Sequence, residues 1–198
     1  MRKKIVICFI VLIIFIVFLI LFKDKILKIF YPKKYEEIVS LYAEEYNVDE
    51  NLIYAVIKAE SNFDENAVSN KNALGLMQIM EDTAKDIAKK NNIQVDENNA
   101  RQDILNINNN INIGTKYLAT LLEKYQNTEL ALAAYNAGTG NVDNWIEKNI
   151  LKEDGSNIEN IPYKETNNYV RIILQNYKIY SEIYKWYLIV TIHGLIIC

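Results

Sequence analysis

The sequence predicts a mostly α-helical domain behind a single N-terminal transmembrane helix. Three observations lead to this prediction. An unbroken apolar run occupies residues 5–22, apolar residues recur at helical spacing in most segments after residue 35, and no convincing alternating strand pattern is present. Proline, which interrupts helices, occurs only at Pro32 and Pro162.

The apolar run is long enough to cross a bilayer as a helix, because about 18 residues meet that threshold. A cleaved signal peptide has a shorter apolar core, roughly 7–15 residues, and then a small-residue cleavage site. Here Lys, Asp and Lys follow at residues 23–25, and Cys8 lies inside the run rather than at its end, which disfavours a lipoprotein anchor. We therefore expect an uncleaved anchor with its basic N-terminus in the cytoplasm, although Lys28 and its neighbours weaken the charge asymmetry that sets orientation.

Charge and cysteine content limit the functions open to the rest of the chain. Residues 1–34 hold eight Lys or Arg and one Asp, so the remainder holds 14 basic and 24 acidic side chains, a formal charge of −10. An acidic domain of this kind is a poor nucleic-acid binder. The two cysteines cannot form a disulfide framework, and the sequence suggests neither a metal site nor a cofactor. The predicted organisation is an anchor with a juxtamembrane segment at 1–34, a domain at 35–187 and an apolar tail at 188–198.

Beyond the anchor, several segments have the apolar periodicity of helices. Gly114 is expected at a point where helices pack closely, and residues 69–80 are a candidate for a short hairpin. Three runs of asparagine, at 91–92, 98–99 and 108–110, look compositional and receive no functional weight. The predicted helices cover residues 35–46, 50–60, 83–90, 106–124, 129–136 and 169–187.

The domain is organised around Glu60, at the end of the helix predicted from about Glu50. Asp49 or Asn51 can cap the start of this helix. Glu60 lies four residues after Val56, so it continues the buried face rather than pointing to water. Loss of hydration disfavours the charged carboxylate and raises its pKa, which is what a general acid needs near neutral pH. On these residues alone, a carboxylate that only ends a helix and caps backbone groups is an equal alternative.

Four short motifs follow one another in order along residues 35–187. They are Glu60-Ser61-x-Phe63 continued by Ala67-x-Ser69 and Gly75-Leu76-Met77-Gln78-x-Met80, then Asn112-Ile113-Gly114 with Tyr117-Leu118, then Ala134-Tyr135-Asn136-Ala137-Gly138 with Asn141-Val142, and finally Glu165-Thr166-x-x-Tyr169-Val170. This series resembles the soluble lytic transglycosylases of bacterial cell walls. The resemblance implies a lysozyme-like α-helical domain that cuts the β-1,4 bond between N-acetylmuramic acid and N-acetylglucosamine. Asn72, where the family often has Gly, and Glu81, where Pro usually stands, depart from the family pattern.

The resemblance also implies roles for single residues. Glu60 would be the sole acid/base, and the product would be a 1,6-anhydro sugar formed without water, whereas ordinary glycosidases need a second carboxylate. Tyr135 could donate a hydrogen bond to Glu60 or to the sugar. Glu165 could raise the pKa of Glu60 further, although helix capping by Glu165 and core packing by Tyr169 are alternatives. The implied substrate-binding residues are Ser69, Met77, Gln78, Tyr135, Asn136, Glu165 and Tyr169.

Two other functions stay open on the sequence. A hydrolytic muramidase of the goose-type lysozyme kind would need a second carboxylate across the groove, and Ile79 and Met80 stand where those lysozymes have an Asp. A non-catalytic wall-binding module, for instance within an envelope assembly machinery, is the other. We expect the domain on the cell-wall side of the membrane, with peptidoglycan glycan strands as its partner. We also expect the apolar tail to be dispensable for activity.

Overall fold

The computed structural model describes residues 2–96 and 98–185. The described chain divides into two compact units, one formed by residues 2–32 with 181–185 and the other by Lys33–Tyr180. Both units are helical, and the described residues contain no regular β-strand. The apolar tail predicted at 188–198 lies outside the described residues.

The first unit is dominated by one long helix, α1, at Arg2–Phe30. Its segment Ile7–Phe30 is 24 residues long, and the most apolar 18 residues of this segment have a mean hydropathy of 3.0 and are not buried within the protein. A helix of this length and composition can cross a membrane, although a signal sequence passes the same test. Near the end of α1, Lys28 lies over the ring of Tyr184 at 4.8 Å, and the Tyr184 hydroxyl donates a hydrogen bond to the Tyr31 carbonyl at 2.9 Å.

The helices of the second unit largely match the predicted segments. The last helix begins at Lys164 rather than at the predicted Tyr169, so Glu165 and Thr166 lie in its first turn. Two short helices were not predicted: one follows an Asn run and the other follows Gly138. The helices are α2 at Glu36–Tyr46, α3 at Glu50–Ser61, α4 at Glu81–Asn91, α5 at Ala100–Leu105, α6 at Ile107–Tyr125, α7 at Thr128–Ala137, α8 at Thr139–Glu147 and α9 at Lys164–Ile183, with a 3₁₀ turn at Ile158–Asn160.

Helix α3 runs through the core, because six consecutive residues from Leu52 to Ile57 are almost wholly inaccessible to solvent. Asp49 caps its start by accepting a hydrogen bond from the backbone of Asn51 at 2.8 Å, and Asn62 ends it in the left-handed conformation. Helix α6 packs against α2, α4, α5 and α7. Helix α3 packs against α2, and the hydroxyl of Ser61 in its last turn donates a hydrogen bond to the carbonyl of Leu76 at 2.9 Å.

The segment between α3 and α4 is not a regular hairpin. Leu74 forms isolated antiparallel bridges with Val68 and with Ile79, and the backbones of Leu74 and Ile79 exchange two hydrogen bonds of 3.0 Å. These bridges fold the chain back past the end of α3.

Candidate active site

A cavity of about 520 Å³ in the second unit contains the end of α3. Six of the eight residues predicted for the site line it; the exceptions are Met77 and Tyr169. A larger depression of about 800 Å³ contains Glu81, but that carboxylate is partly exposed and is paired with Lys85 at 2.6 Å. The lining of the smaller cavity consists of Glu60, Ser69, Asn70, Lys71, Ala73, Gln78, Met80, Tyr135, Asn136 and Glu165.

Glu60 is half-buried in the last turn of α3. Burial raises the pKa of its carboxyl from 4.5 to about 7, and a hydrogen bond from Tyr169 opposes part of that rise. The prediction of a raised pKa is confirmed. At neutral pH the group is therefore divided between its protonated and ionised forms, so it can both give and accept a proton.

Tyr169 orients the Glu60 carboxyl. From α9, its hydroxyl donates a hydrogen bond to Oε1 of Glu60 at 2.6 Å. Burial, followed by the charge of Glu60, raises the pKa of Tyr169, so the phenol keeps its proton and remains a donor. Oε2 of Glu60 has no hydrogen-bond partner among the described residues, which leaves one carboxyl oxygen for a ligand in the cavity.

Tyr135 does not donate a hydrogen bond to Glu60, which was one of its two expected roles. Its side chain is buried on α7, and its hydroxyl donates to the carbonyl of Met77 at 2.9 Å. Its ring packs at 5.1 Å from that of Tyr117. The Tyr135 phenol proton is thus used to hold the turn that contains Met77, and the donor to Glu60 is Tyr169.

The turn Gly75–Gln78 forms one side of the site. The Met77 side chain is fully buried, so the expectation that Met77 binds the substrate is wrong for its side chain. It packs on α6, where a Cβ added to Gly114 would lie 2.5 Å from the Met77 sulfur, as the predicted close packing requires. Gln78 adopts a φ of 47°, and its amide donates to the carbonyls of Ala67 and Gly75 at 3.0 and 2.8 Å.

Asn110 is the residue that sequence reasoning missed. It is fully buried on α6; its Oδ1 accepts from the backbone of Met77 at 2.8 Å, and its Nδ2 donates to the carbonyls of Leu74 and Ile104, both at 2.9 Å. A Cβ at Gly75 would lie 2.4 Å from this amide, so Asn110 also requires the glycine. Asn110 belongs to the asparagine run at 108–110, which received no functional weight. Its position on the apolar face of α6 is the sequence feature that indicates burial.

The cavity also carries polar groups from a loop, from α7 and from α9. Ser69 accepts backbone hydrogen bonds from Lys71 and Ala73 through its hydroxyl oxygen, at 3.2 and 3.0 Å. Asn136 is exposed and accepts a hydrogen bond from the buried Thr166 at 2.7 Å. Glu165 is exposed and lies 3.7 Å from Lys71, and its charge is not among the causes of the raised pKa of Glu60, so that part of the prediction is wrong.

No three His, Cys, Asp or Glu residues within the described ranges could together hold a metal ion. The other two acidic residues near Glu60 in sequence have structural partners. Asp64 accepts from the backbone of Asn66 at 3.0 Å, and Glu65 accepts from the hydroxyl of Tyr35 at 2.9 Å. Neither lines the cavity. The arrangement is therefore one half-buried acid, held by a phenol, within a polar cleft.

Comparison with known proteins identifies the family. The family described as "Transglycosylase SLT domain" matches residues 37–158, which is more than half of the chain. The chain belongs to the SLT transglycosylase family. Its fold is the lysozyme-like helical fold of SLT domains, as predicted.

Relatives of this SLT domain are larger proteins. It is 32% identical over 146 residues to a soluble lytic murein transglycosylase of Salmonella typhimurium, covering 73% of this chain and 22% of the relative. It is 40% identical over 118 residues to the membrane-bound lytic murein transglycosylase C of Edwardsiella ictaluri, covering 55% and 32%. A crystal structure of an inactive glutamate-to-glutamine mutant of the lytic transglycosylase Slt from Pseudomonas aeruginosa superposes with a TM-score of 0.69 at 32% identity, covering 79% of this chain and 25% of that one. The chain thus spans between about a fifth and a third of these relatives.

Proposed function

We propose that this protein is a peptidoglycan lytic transglycosylase that cuts the β-1,4 bond between N-acetylmuramic acid and N-acetylglucosamine and leaves a 1,6-anhydromuramic end. One observation carries the proposal: Glu60 has a pKa of about 7 within the cavity, and no other carboxylate contributes to that value. Hydrolytic glycosidases rely on two carboxyl groups with separate roles. The other carboxyl that lines the cavity, Glu165, is exposed and lies 3.7 Å from Lys71. The half-buried Glu60, poised between its two forms, is the acid that suits a reaction in which the sugar supplies its own nucleophile.

The proposed reaction needs only proton movements at Glu60. The protonated carboxyl gives its proton to the glycosidic oxygen as the bond from that oxygen to C1 of the muramic residue breaks. The resulting carboxylate then accepts the proton of the C6 hydroxyl as O6 forms a bond to C1. Glu60 returns to its protonated form and no water is consumed. Tyr169 would fix the orientation of the carboxyl through Oε1 in both steps.

The substrate-binding part of the proposal assigns the cavity lining. Ser69, Gln78, Asn136 and Glu165 line the cleft beside Glu60 and are proposed to contact the glycan. Tyr135 also lines it through its ring, while its hydroxyl is used within the protein. Met77 is left out of the proposed contacts because its side chain is buried.

The proposed location is the cell-wall side of the membrane, with α1 as an uncleaved anchor. The length and apolarity of α1 support this location, and a relative from Edwardsiella ictaluri is named as membrane-bound. Glycan strands are the proposed partner. We also propose that the protein takes part in a larger envelope assembly, which binding experiments with envelope proteins test.

Product analysis tests the reaction. Purified peptidoglycan is digested with the protein, and the fragments are separated and weighed by mass spectrometry. We expect fragments that end in 1,6-anhydromuramic acid, each lighter by one water than its hydrolysed counterpart. Glu60→Gln should reduce the rate by at least about 100-fold, the low end for general acid catalysis, whereas Glu65→Gln, a loop carboxylate outside the cavity, should not. Fragments with reducing N-acetylmuramic acid ends would instead identify a muramidase.

A further inference from the structure

The catalytic cavity contains one basic side chain. Among the described residues that line it, Lys71 is the only cation, and it shares the cavity with the carboxyls of Glu60 and Glu165. The residues after position 34 have a formal charge of −10, so the field of the domain as a whole repels an anionic ligand. Attraction of such a ligand into this cavity therefore depends on Lys71.

The loop that carries Lys71 has a fixed backbone and an exposed side chain. Its backbone N–H donates to the hydroxyl oxygen of Ser69, and the same oxygen accepts from Ala73. Asn72 completes the turn in the left-handed conformation, with its N–H bonded to the Ser69 carbonyl at 2.9 Å. The Lys71 side chain is 78% exposed, so it can reorient without disturbing the loop.

The present partner of Lys71 is held weakly. Its ammonium lies 3.7 Å from Oε2 of Glu165, beyond hydrogen-bond distance, and both side chains are at least three-quarters exposed. Exposed ion pairs of this kind contribute little to stability because water screens both charges. A carboxylate that binds in the cavity can therefore replace Glu165 at small cost.

Resting on the proposed function, we propose that Lys71 is a specificity-determining residue that binds a carboxylate on the muramic branch of the glycan, with Glu165 as its partner when the cavity is empty. N-acetylmuramic acid differs from N-acetylglucosamine by a lactyl group. Its carboxyl is either free or joined to a peptide that has carboxylates of its own. A lysine beside the acid catalyst distinguishes the two sugars by this charge, which hydrogen bonds to hydroxyl and acetamido groups cannot do.

Binding measurements on the full-length protein in detergent test this role without turnover. The Glu60→Gln background prevents cleavage, and end-labelled glycan strands are titrated by fluorescence anisotropy. Two strand types separate the sources of charge: strands stripped of peptide, with free lactyl carboxylates, and peptide-bearing strands. Each type is also prepared with its carboxylates converted to amides by carbodiimide and ammonia, which removes the charge.

We expect the carboxylate form of at least one strand type to bind about tenfold more tightly than its amide form, the low end for a hydrogen bond to a charged group in an exposed setting. Lys71→Gln should abolish this ratio. Lys90→Gln should keep it, because Lys90 is an exposed lysine paired with Asp86 on α4, outside the cavity. Glu165→Gln should keep or increase the ratio, since it removes the competing carboxylate.

The strand type that shows the ratio identifies the source, lactyl or peptide. A tenfold ratio that persists in Lys71→Gln, or one that Lys90→Gln abolishes equally, overturns the proposal. So does equal binding of the carboxylate and amide forms by the Glu60→Gln protein. These outcomes are independent of the cleavage chemistry, because reducing-end products would contradict the transglycosylase reaction and leave the binding ratio intact.

Discussion

At the scale of single residues, two influences with opposite signs set the pKa of Glu60: burial of its carboxyl and the hydrogen bond from Tyr169. Burial pushes the pKa upward and the phenol hydrogen bond lowers it, and the outcome is about 7. Burial alone would place the pKa of Glu60 higher, which would favour the acid form and leave less of the carboxylate form at neutral pH. The phenol thus keeps both proton states accessible near neutral pH.

Tyr169→Phe removes the hydrogen bond while it keeps the ring. Because that bond lowers the pKa of Glu60, its loss should raise the pKa above about 7. The fall in activity that accompanies ionisation of the acid should then move to higher pH. The pH dependence of the cleavage rate measures this shift, with Tyr163→Phe as a matched control on an exposed tyrosine that donates to Asn141. A profile that stays in place or moves to lower pH would contradict the assigned role.

Glu60 should also lower the stability of the domain at neutral pH. Its folded pKa of about 7 exceeds the ordinary 4.5, so between these values the folded state binds more protons than the unfolded state. The free energy of unfolding therefore falls as pH rises through this window, by at most about 3 kcal/mol, and is constant above it. Glu60→Gln removes this pH-dependent fall in the free energy of unfolding, because the amide does not titrate.

Urea unfolding of the anchor-free domain at about pH 4 and about pH 8 measures the difference. Relative to wild type, Glu60→Gln should gain stability at the higher pH and not at the lower one. Glu147→Gln, the same change at an exposed position, should give equal differences at both. A Glu60→Gln protein that tracks wild type at both pH values would show that the carboxyl is not desolvated in solution.

At the scale of elements, the site depends on the attachment of the turn Gly75–Gln78 to α6. The fully buried Asn110 makes three hydrogen bonds to backbone groups: one to Met77 within the turn, one to Leu74 directly before it and one to Ile104 in α5. Tyr135 adds a fourth from α7. The turn therefore has little freedom beside the end of α3.

Asn110→Ala should destabilise the domain by about 3 kcal/mol, because it removes the partner of the buried Met77 N–H and of the Ile104 carbonyl, while the Leu74 carbonyl keeps its hydrogen bond from Ile79. Asn108→Ala is the matched control on the same helix. Asn108 is exposed and accepts one hydrogen bond from Tyr42, so about 1 kcal/mol or less is expected. Urea unfolding compares the two. Equal losses would mean that the buried amide is not what holds the turn.

Periodicity located most of the helices and failed where local signals conflict. α8 begins at Thr139, directly after a glycine with a φ of 85°, and contains a second glycine, which made the segment look like a turn. α5 has only six residues, too few for a clear apolar stripe. The raised pKa of Glu60 was predictable because spacing from Val56 fixes its face. The hydrogen-bond partners of Glu60 and Met77 were not predictable, since Tyr169 comes from α9, Asn110 from α6 and Tyr135 from α7, and only tertiary packing brings them there.

At the scale of the whole molecule, charge is divided sharply along the chain. The first 34 residues are strongly basic and the remainder is acidic, with a formal charge of −10. The anionic surface of a bilayer attracts juxtamembrane lysines and repels an acidic domain. For the anchored form proposed above, we therefore expect anionic lipid to attract the basic segment and not the acidic domain.

The anchor can be tested with two changes inside α1. Ile13→Arg with Ile14→Arg should prevent stable insertion, because each arginine near the centre of a span costs about 2.5–3.5 kcal/mol on insertion scales. Ile13→Leu with Ile14→Leu, the matched control, should insert as wild type does. Membranes are washed with high salt and with alkali, and the protein is followed in the pellet together with the mass of its N-terminal peptide. We expect wild type and the leucine variant to remain in the pellet with residues 1–22 intact, and the arginine variant to be lost from it. A wild-type N-terminus that begins after residue 22 would identify a cleaved signal sequence, and the domain would then act free of the membrane.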